Sequence, residues 1–154
     1  MYFDSRQCVT HSVDHVPSWV QQVSRKVKGR VLLEEDLETY VMTLRNTKEL
    51  WDIVLIDGEE RVKCAREFLE YQKTYQPKLL IFDNSNWYPE TCRSLIENTK
   101  WFPLRLNGFG PINIYPTQTL FLINPRWIPK SKGDSRPLGS DTSVASDDLS
   151  PPGH

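Results

Sequence analysis

The chain has 154 residues, 38% of them hydrophobic and 25% charged, with a formal net charge of −1, enough for one domain with a real core. That balance gives no electrostatic case for binding nucleic acid or an anionic membrane, no apolar run approaches the roughly 20 residues of a membrane span, and Met1 to Gln7 holds no apolar signal region. The three cysteines, Cys8, Cys64 and Cys92, have no CxxC spacing, which argues against a disulfide framework or a zinc site and fits a reducing, cytoplasmic compartment.

In chain order, Val9 to Val13 reads as a strand, and Pro17 suits a first helical turn. Val20, Val23 and Val27 follow at helical spacing. Arg30 to Leu33 reads as a short strand. Asp36 can cap the next helix, whose apolar stripe is Leu37, Tyr40, Val41 and Leu44. Trp51 to Ile56 is a near-continuous apolar run ending at Asp57-Gly58, as in a strand buried on both faces of a parallel sheet. Glu59 and Glu60 favour the start of the following helix through its dipole, and Val62, Ala65, Phe68, Leu69 and Gln72 form its stripe.

Lys78 to Phe82 reads as a further buried strand, ending at Asp83-Asn84. Pro89 opens a helix with Cys92, Leu95, Ile96 and Thr99 on one face. Strands near Phe102 to Leu106 and Thr117 to Ile123 follow each other without a helix and can pair antiparallel at a sheet edge, joined through Gly108-Phe109-Gly110-Pro111. The Ser-, Pro- and Asp-rich stretch 129–154 cannot bury enough apolar surface to offset its ordering entropy, and reads as a disordered tail behind a domain spanning 1–128. Strands alternating with helices imply βαβ units and a mainly parallel sheet flanked by helices.

Ligands of open α/β sheets bind at the carboxyl ends of the strands. Here Asp14-His15, Asp57-Gly58 and Asp83-Asn84 each stand directly after an apolar run. Asp and Asn are also common caps and turn formers at such places. Three carboxylates on one predicted rim favour more than capping. Asp57, Asp83 and the Asn84 amide oxygen are hard ligands that suit Mg²⁺ or Ca²⁺ if they converge. Asp14 is placed to accept hydrogen bonds from a ribose diol. His11 and His15 have acid–base chemistry available, although a structural histidine is the commoner case.

The order of these motifs resembles the class I S-adenosylmethionine-dependent methyltransferase superfamily. Val9-Thr10-His11-Ser12-Val13-Asp14-His15 is similar to its second motif, Trp51 to Gly58 to its fourth-strand motif, and Leu79 to Asn84 to its fifth-strand motif. Gly108 to Pro111 followed by Thr117 to Leu122 resembles the end of small bacterial-type members. The resemblance covers about residues 8 to 124. It implies a Rossmann-like fold with S-adenosylmethionine as cofactor, held by Asp14 and His15 at the ribose, Glu34 and Glu35 near the adenine, and Asp57.

Within the superfamily, Asp57, Asp83 and Asn84 resemble the metal triad of cation-dependent O-methyltransferases, which implies Mg²⁺, catalytic roles for Asp57 and Asp83, and a small-molecule methyl acceptor. One departure stands out. The family opens with a strand, a glycine-rich loop and a helix, and no GxGxG occurs in this sequence. Met1-Tyr2-Phe3 is then the remnant of the missing helix, and the chain reads as N-terminally truncated. Loss of a central strand predicts an exposed sheet edge open to self-association, so a non-catalytic interaction module is the competing expectation.

Overall fold

The computed structural model describes residues 8–109 and 115–128. The expected tail, the Met1 to Gln7 segment and Gly110-Pro111 lie outside the described residues. The element order is β1 (His11–Asp14), α1 (Pro17–Ser24), β2 (Arg30–Leu33), α2 (Leu37–Asn46), β3 (Ile53–Ile56), α3 (Arg61–Tyr75), β4 (Leu79–Phe82), α4 (Pro89–Thr99), β5 (Phe102–Phe109) and β6 (Pro116–Ile123). Single 3₁₀ turns span Ser85–Trp87 and Pro125–Trp127. The protein is therefore mixed α/β.

Local chemistry accounts for most boundaries. Pro17 and Pro89 occupy first-turn positions of α1 and α4, where a missing N–H loses no helical bond. Asp36 caps α2, its Oδ1 accepting from the Thr39 N–H at 2.8 Å and from the Thr39 hydroxyl at 2.8 Å. α3 and α4 stop where Gln76 and Lys100 turn left-handed, at φ 47° and 55°, each N–H returning to the last turn of its helix. The expected stripe through Val27 fails because α1 ends at Ser24, and Val27 follows it in a turn bonded to Val23.

The strands form two sheets. β1 and β2 pair in parallel, His11 to Arg30 through Asp14 to Leu33. The second sheet has the order β3-β4-β6-β5. In it β3 and β4 are parallel, whereas β6 runs antiparallel to both β4 and β5. The expected antiparallel terminal pair is present with β5 outermost, and β6 lies between β4 and β5. The described sheets are therefore less dominated by parallel pairing than the sequence pattern suggested, because β5 and β6 are twice as long as the other strands.

β1 and β3 do not pair with each other, and among the described residues each has one edge with no strand beside it. Side chains link the two sheets: the His11 ring lies 4.6 Å from that of Trp51, and the His15 ring 5.8 Å from that of Tyr40.

Strand alternation sorts the four-stranded sheet into two unlike faces. One presents Val54, Ile56, Leu80, Phe82, Leu120 and Leu122 to α3 and α4, which contribute Ala65, Phe68, Tyr71, Cys92 and Leu95 to a single core cluster. Phe68, Leu80, Phe82 and Leu95 have no exposed surface, and burial of each such side chain stabilises the fold by roughly 1.5–3 kcal/mol. Tyr71, absent from the expected stripe, is deep in this core, whereas Val62 is exposed.

The opposite face carries two cross-strand rows, Ile53-Leu79-Ile123-Phe102 and Leu55-Ile81-Phe121-Leu104, set by the registers. No residue of either row is buried.

Candidate active site

The carboxyl ends of β3 and β4 are neighbours because those strands are parallel and in register from Ile53–Leu79 to Ile56–Phe82. That register brings Asp57 beside Asp83. The Asp83 N–H continues the ladder by donating to the Ile56 carbonyl at 3.1 Å, and the Asp83 Oδ1 accepts from the Thr119 hydroxyl at 2.6 Å. Asn84 takes a left-handed conformation, φ 49°, which Asn tolerates better than most residues. The turn beyond is pinned to β6: Ser85 Oγ donates to the Gln118 carbonyl at 3.0 Å, and Asn86 Oδ1 accepts from the Gln118 N–H at 3.1 Å.

Arg61, in the first turn of α3, gathers this rim. Its Nε donates to the Gly58 carbonyl at 2.9 Å. Its Nη1 donates to the Asp83 carbonyl at 3.0 Å and to Asn84 Oδ1 at 2.5 Å. Its Nη2 donates to Asp57 Oδ1 at 3.2 Å and to the Asp57 carbonyl at 3.3 Å. The guanidinium also lies 5.9 Å from the centre of the Tyr88 ring. Only 13% of the Arg61 side chain is exposed.

Burial and the neighbouring Asp83 carboxylate push the Asp57 carboxyl above its ordinary range, and Arg61 works in the opposite direction. Because 54% of the Asp57 side chain still meets solvent, screening limits that rise.

The two carboxylates and Asn84 thus come together as expected, but the arrangement does not fit a divalent cation. Arg61 already directs N–H groups at Asn84 Oδ1 and Asp57 Oδ1, and Thr119 occupies Asp83 Oδ1. A cation bound by that set would sit against a guanidinium. Among the described residues there is no cluster of three His, Cys, Asp or Glu side chains suited to a metal.

Asp14 ends β1 at the corresponding rim of the smaller sheet. Its Oδ1 accepts from the Val16 N–H at 2.8 Å, a turn-forming role, and lies 3.7 Å from His15 Nδ1. No bond to its Oδ2 occurs among the described residues. Glu34 stands across from it, its N–H donating to the Asp14 carbonyl at 3.0 Å. Glu34 is half-buried and Glu35 exposed. His11 begins β1, at the end remote from this rim, with Nδ1 buried and 3.8 Å from Glu49. That placement removes it from the set of rim acids and bases.

Tyr40 of α2 joins the two rims. It is buried, it packs edge-on to His15, and its hydroxyl lies where a side chain at Gly58 would begin. Burial first, then electrostatic repulsion from Cys64 (once ionised), Asp14 and Glu59, hold its hydroxyl protonated, with the pKa pushed up to about 12. Burial likewise raises the neighbouring Cys64 thiol to about 11, so that group is not an activated nucleophile. Sequence reasoning counted Tyr40 only as part of an apolar stripe and passed over Arg61. The spacing of Arg61 four residues after Asp57 was the available signal, since it places a cation one turn from the strand tip.

No family model matches the chain, and neither a curated protein nor a solved structure matches it.

Proposed function

We propose that this α/β core is methyltransferase-like, with a Rossmann-type lineage, and that its rim binds S-adenosylmethionine and directs methyl transfer to the hydroxyl oxygen of a small-molecule acceptor. The observation that carries this reading is the gathering of polar strand ends: Asp14 and Glu34 on one sheet, Asp57 and Asp83-Asn84 on the other, with Tyr40 between them.

In this reading the Asp14 carboxylate accepts from the ribose diol through the oxygen its turn leaves unused, and Glu34 and Glu35 border the adenine. The bound cofactor supplies an electrophilic methyl group. Asp57, made more basic by burial and by Asp83, would take the acceptor's hydroxyl proton while the acceptor oxygen bonds the methyl carbon and that carbon's bond to the sulfonium sulfur breaks, leaving S-adenosylhomocysteine. Arg61 fixes Asp57 and Asn84 in place, and Asp83 is itself held by Thr119. The Asp57 limb of the rate profile rises with pH through a value above the ordinary 3.8.

Calorimetric titration of the chain with S-adenosylmethionine and S-adenosylhomocysteine tests the reading. Saturable binding weakened at least tenfold by Asp14→Ala is expected, since a hydrogen bond to a charged group contributes about 1.5–3 kcal/mol. Absence of binding by a folded chain refutes it.

A second reading rests on the unpaired edges of β1 and β3 and on Leu55, 60% exposed beside one of them. It makes the chain a non-catalytic module that adds a strand from a partner or a second copy. A stable complex formed by a chain that binds no cofactor favours that alternative.

A further inference from the structure

A sheet that is apolar on both faces must bury both, and the usual solution in α/β proteins is a layer on each side. Here α3 and α4 cover one face of the four-stranded sheet. The other face has no buried residue among the described positions. Its exposed members are large: Ile53 is 45% exposed, Leu55 60%, Phe102 56%, Leu104 41% and Leu106 51%. Leu106 extends the two apolar rows by one step, paired with Thr119. Neither row contains a charged residue. Single exposed leucines need no explanation, but a contiguous patch spanning four strands does.

From these observations we propose that this open face packs against the same face of a second copy, forming a two-fold sheet-on-sheet dimer. Three features favour a second copy as the occupant. The first is charge: the two rows are uncharged and meet their own image without like-charge repulsion, the Asp83 carboxylate standing beyond their end. The second is area. At about 150–250 Å² for a ring and somewhat less for an aliphatic chain, the five side chains expose on the order of 450 Å² per copy. With the half-buried members of the rows, two copies close on about 1,200 Å², the lower bound of a specific interface.

The third is shape. Two β-faces with interleaved side chains stack about 10 Å apart in known packings, and a two-fold axis makes such a contact self-complementary. This contact differs from edge pairing because it uses side chains on all four strands, β5 as well as β3.

Sedimentation equilibrium of the full chain, from about 1 to about 200 µM, reads the proposal directly, since an interface this small associates in the micromolar range. The weight-average mass is expected to climb from 18.0 kDa towards twice that value. Leu55→Arg on β3 and Leu104→Arg on β5 are each expected to weaken association at least tenfold while far-ultraviolet circular dichroism and the melting temperature are retained. Should an Arg variant fail to fold, Leu55→Ser and Leu104→Ser make the same comparison with a smaller expected shift. Dispersal by only one of the two positions places the contact at that edge of the sheet and overturns the proposal. A chain that remains at 18.0 kDa throughout also overturns it and assigns the face to another part of this chain or to a different protein.

Discussion

Arg61→Met isolates what the guanidinium does at the rim, because methionine keeps much of the aliphatic stem and removes the donors. The substitution deletes hydrogen bonds to the carbonyls of Asp57, Gly58 and Asp83 and to the side chains of Asp57 and Asn84. Asp57 is half exposed, so its ion pair contributes little. The loss is dominated by the acceptors left unpaired around a side chain only 13% exposed, and a cost of about 3 kcal/mol is expected. For a domain of this size that corresponds to a fall of roughly 10 °C in melting temperature.

The same variant also reports on metal. With Arg61 gone, Asn84 Oδ1 and both carboxylates become available to a hard cation. Mg²⁺ at about ten times its dissociation constant then restores about 1.4 kcal/mol, or roughly 5 °C. Thermal unfolding of wild type and variant, with and without Mg²⁺, is the assay. A wild-type protein stabilised by Mg²⁺ as much as the variant refutes the argument that Arg61 stands in the cation's place. A cost below about 0.5 kcal/mol refutes the argument that it organises the rim.

Three other outcomes follow from named contacts. A methyl group added at Gly58 overlaps the Tyr40 hydroxyl but stands 3.3 Å from ring Cζ, so Gly58→Ala should lose about 1–3 kcal/mol alone. In a Tyr40→Phe background most of that loss should disappear, and a coupling below about 0.5 kcal/mol in the double-mutant cycle would contradict the contact. Tyr71 donates to the Glu49 carbonyl at 2.7 Å and accepts from the Trp51 N–H at 2.9 Å, so Tyr71→Phe, which strands both backbone groups, should cost about 1–3 kcal/mol in denaturant unfolding.

The third concerns alkaline pH. Folding raises the Tyr40 pKa from 10.0 to about 12, so the folded state favours the neutral hydroxyl. Its contribution to stability is fully present below pH 10 and is lost as pH rises from there to about 12. Tyr40→Phe should flatten the stability–pH curve over that interval, and an unchanged slope would show that Tyr40 ionises as freely in the fold as out of it.

The helix and strand order could be read from the sequence because apolar period and punctuation agreed. Asp36 caps α2, Pro17 and Pro89 open α1 and α4, and Arg30–Leu33 is a strand at both levels. Strand tips were readable for the same reason, since a carboxylate after an apolar run marks the place where the chain leaves the sheet. What lay beyond reach was set by tertiary contact. Tyr71 is absent from the expected apolar stripe, and its place in the core is fixed by two backbone partners of its hydroxyl twenty or more residues away. Sequence reasoning passes over Arg61, and only the in-register pairing of β3 with β4 adds the Asp83 carbonyl and Asn84 Oδ1 to the three acceptors that Asp57 and Gly58 supply locally. The insertion of β6 between β4 and β5 leaves no local trace, because a strand's partner is chosen by its side-chain face rather than by its place in the chain.

The rim and the open face are parts of one surface. Thr119, which binds Asp83 Oδ1, is the register partner of Leu106, one step beyond the row of Leu55, Ile81, Phe121 and Leu104. The Asp83 carboxylate therefore lies at the end of the uncovered apolar rows, on their side of the sheet. Whatever covers those rows also forms a wall beside Asp83. Exclusion of water there would strengthen each interaction the rim makes with a bound molecule, and it would raise the Asp57 carboxyl further from its ordinary range. Covering the face and tuning the rim are thus a single physical event. A variant that disperses the proposed dimer, such as Leu104→Arg, should also weaken the proposed binding of S-adenosylmethionine at the rim, even though β6 stands between the strand of Leu104 and the strand that ends at Asp83.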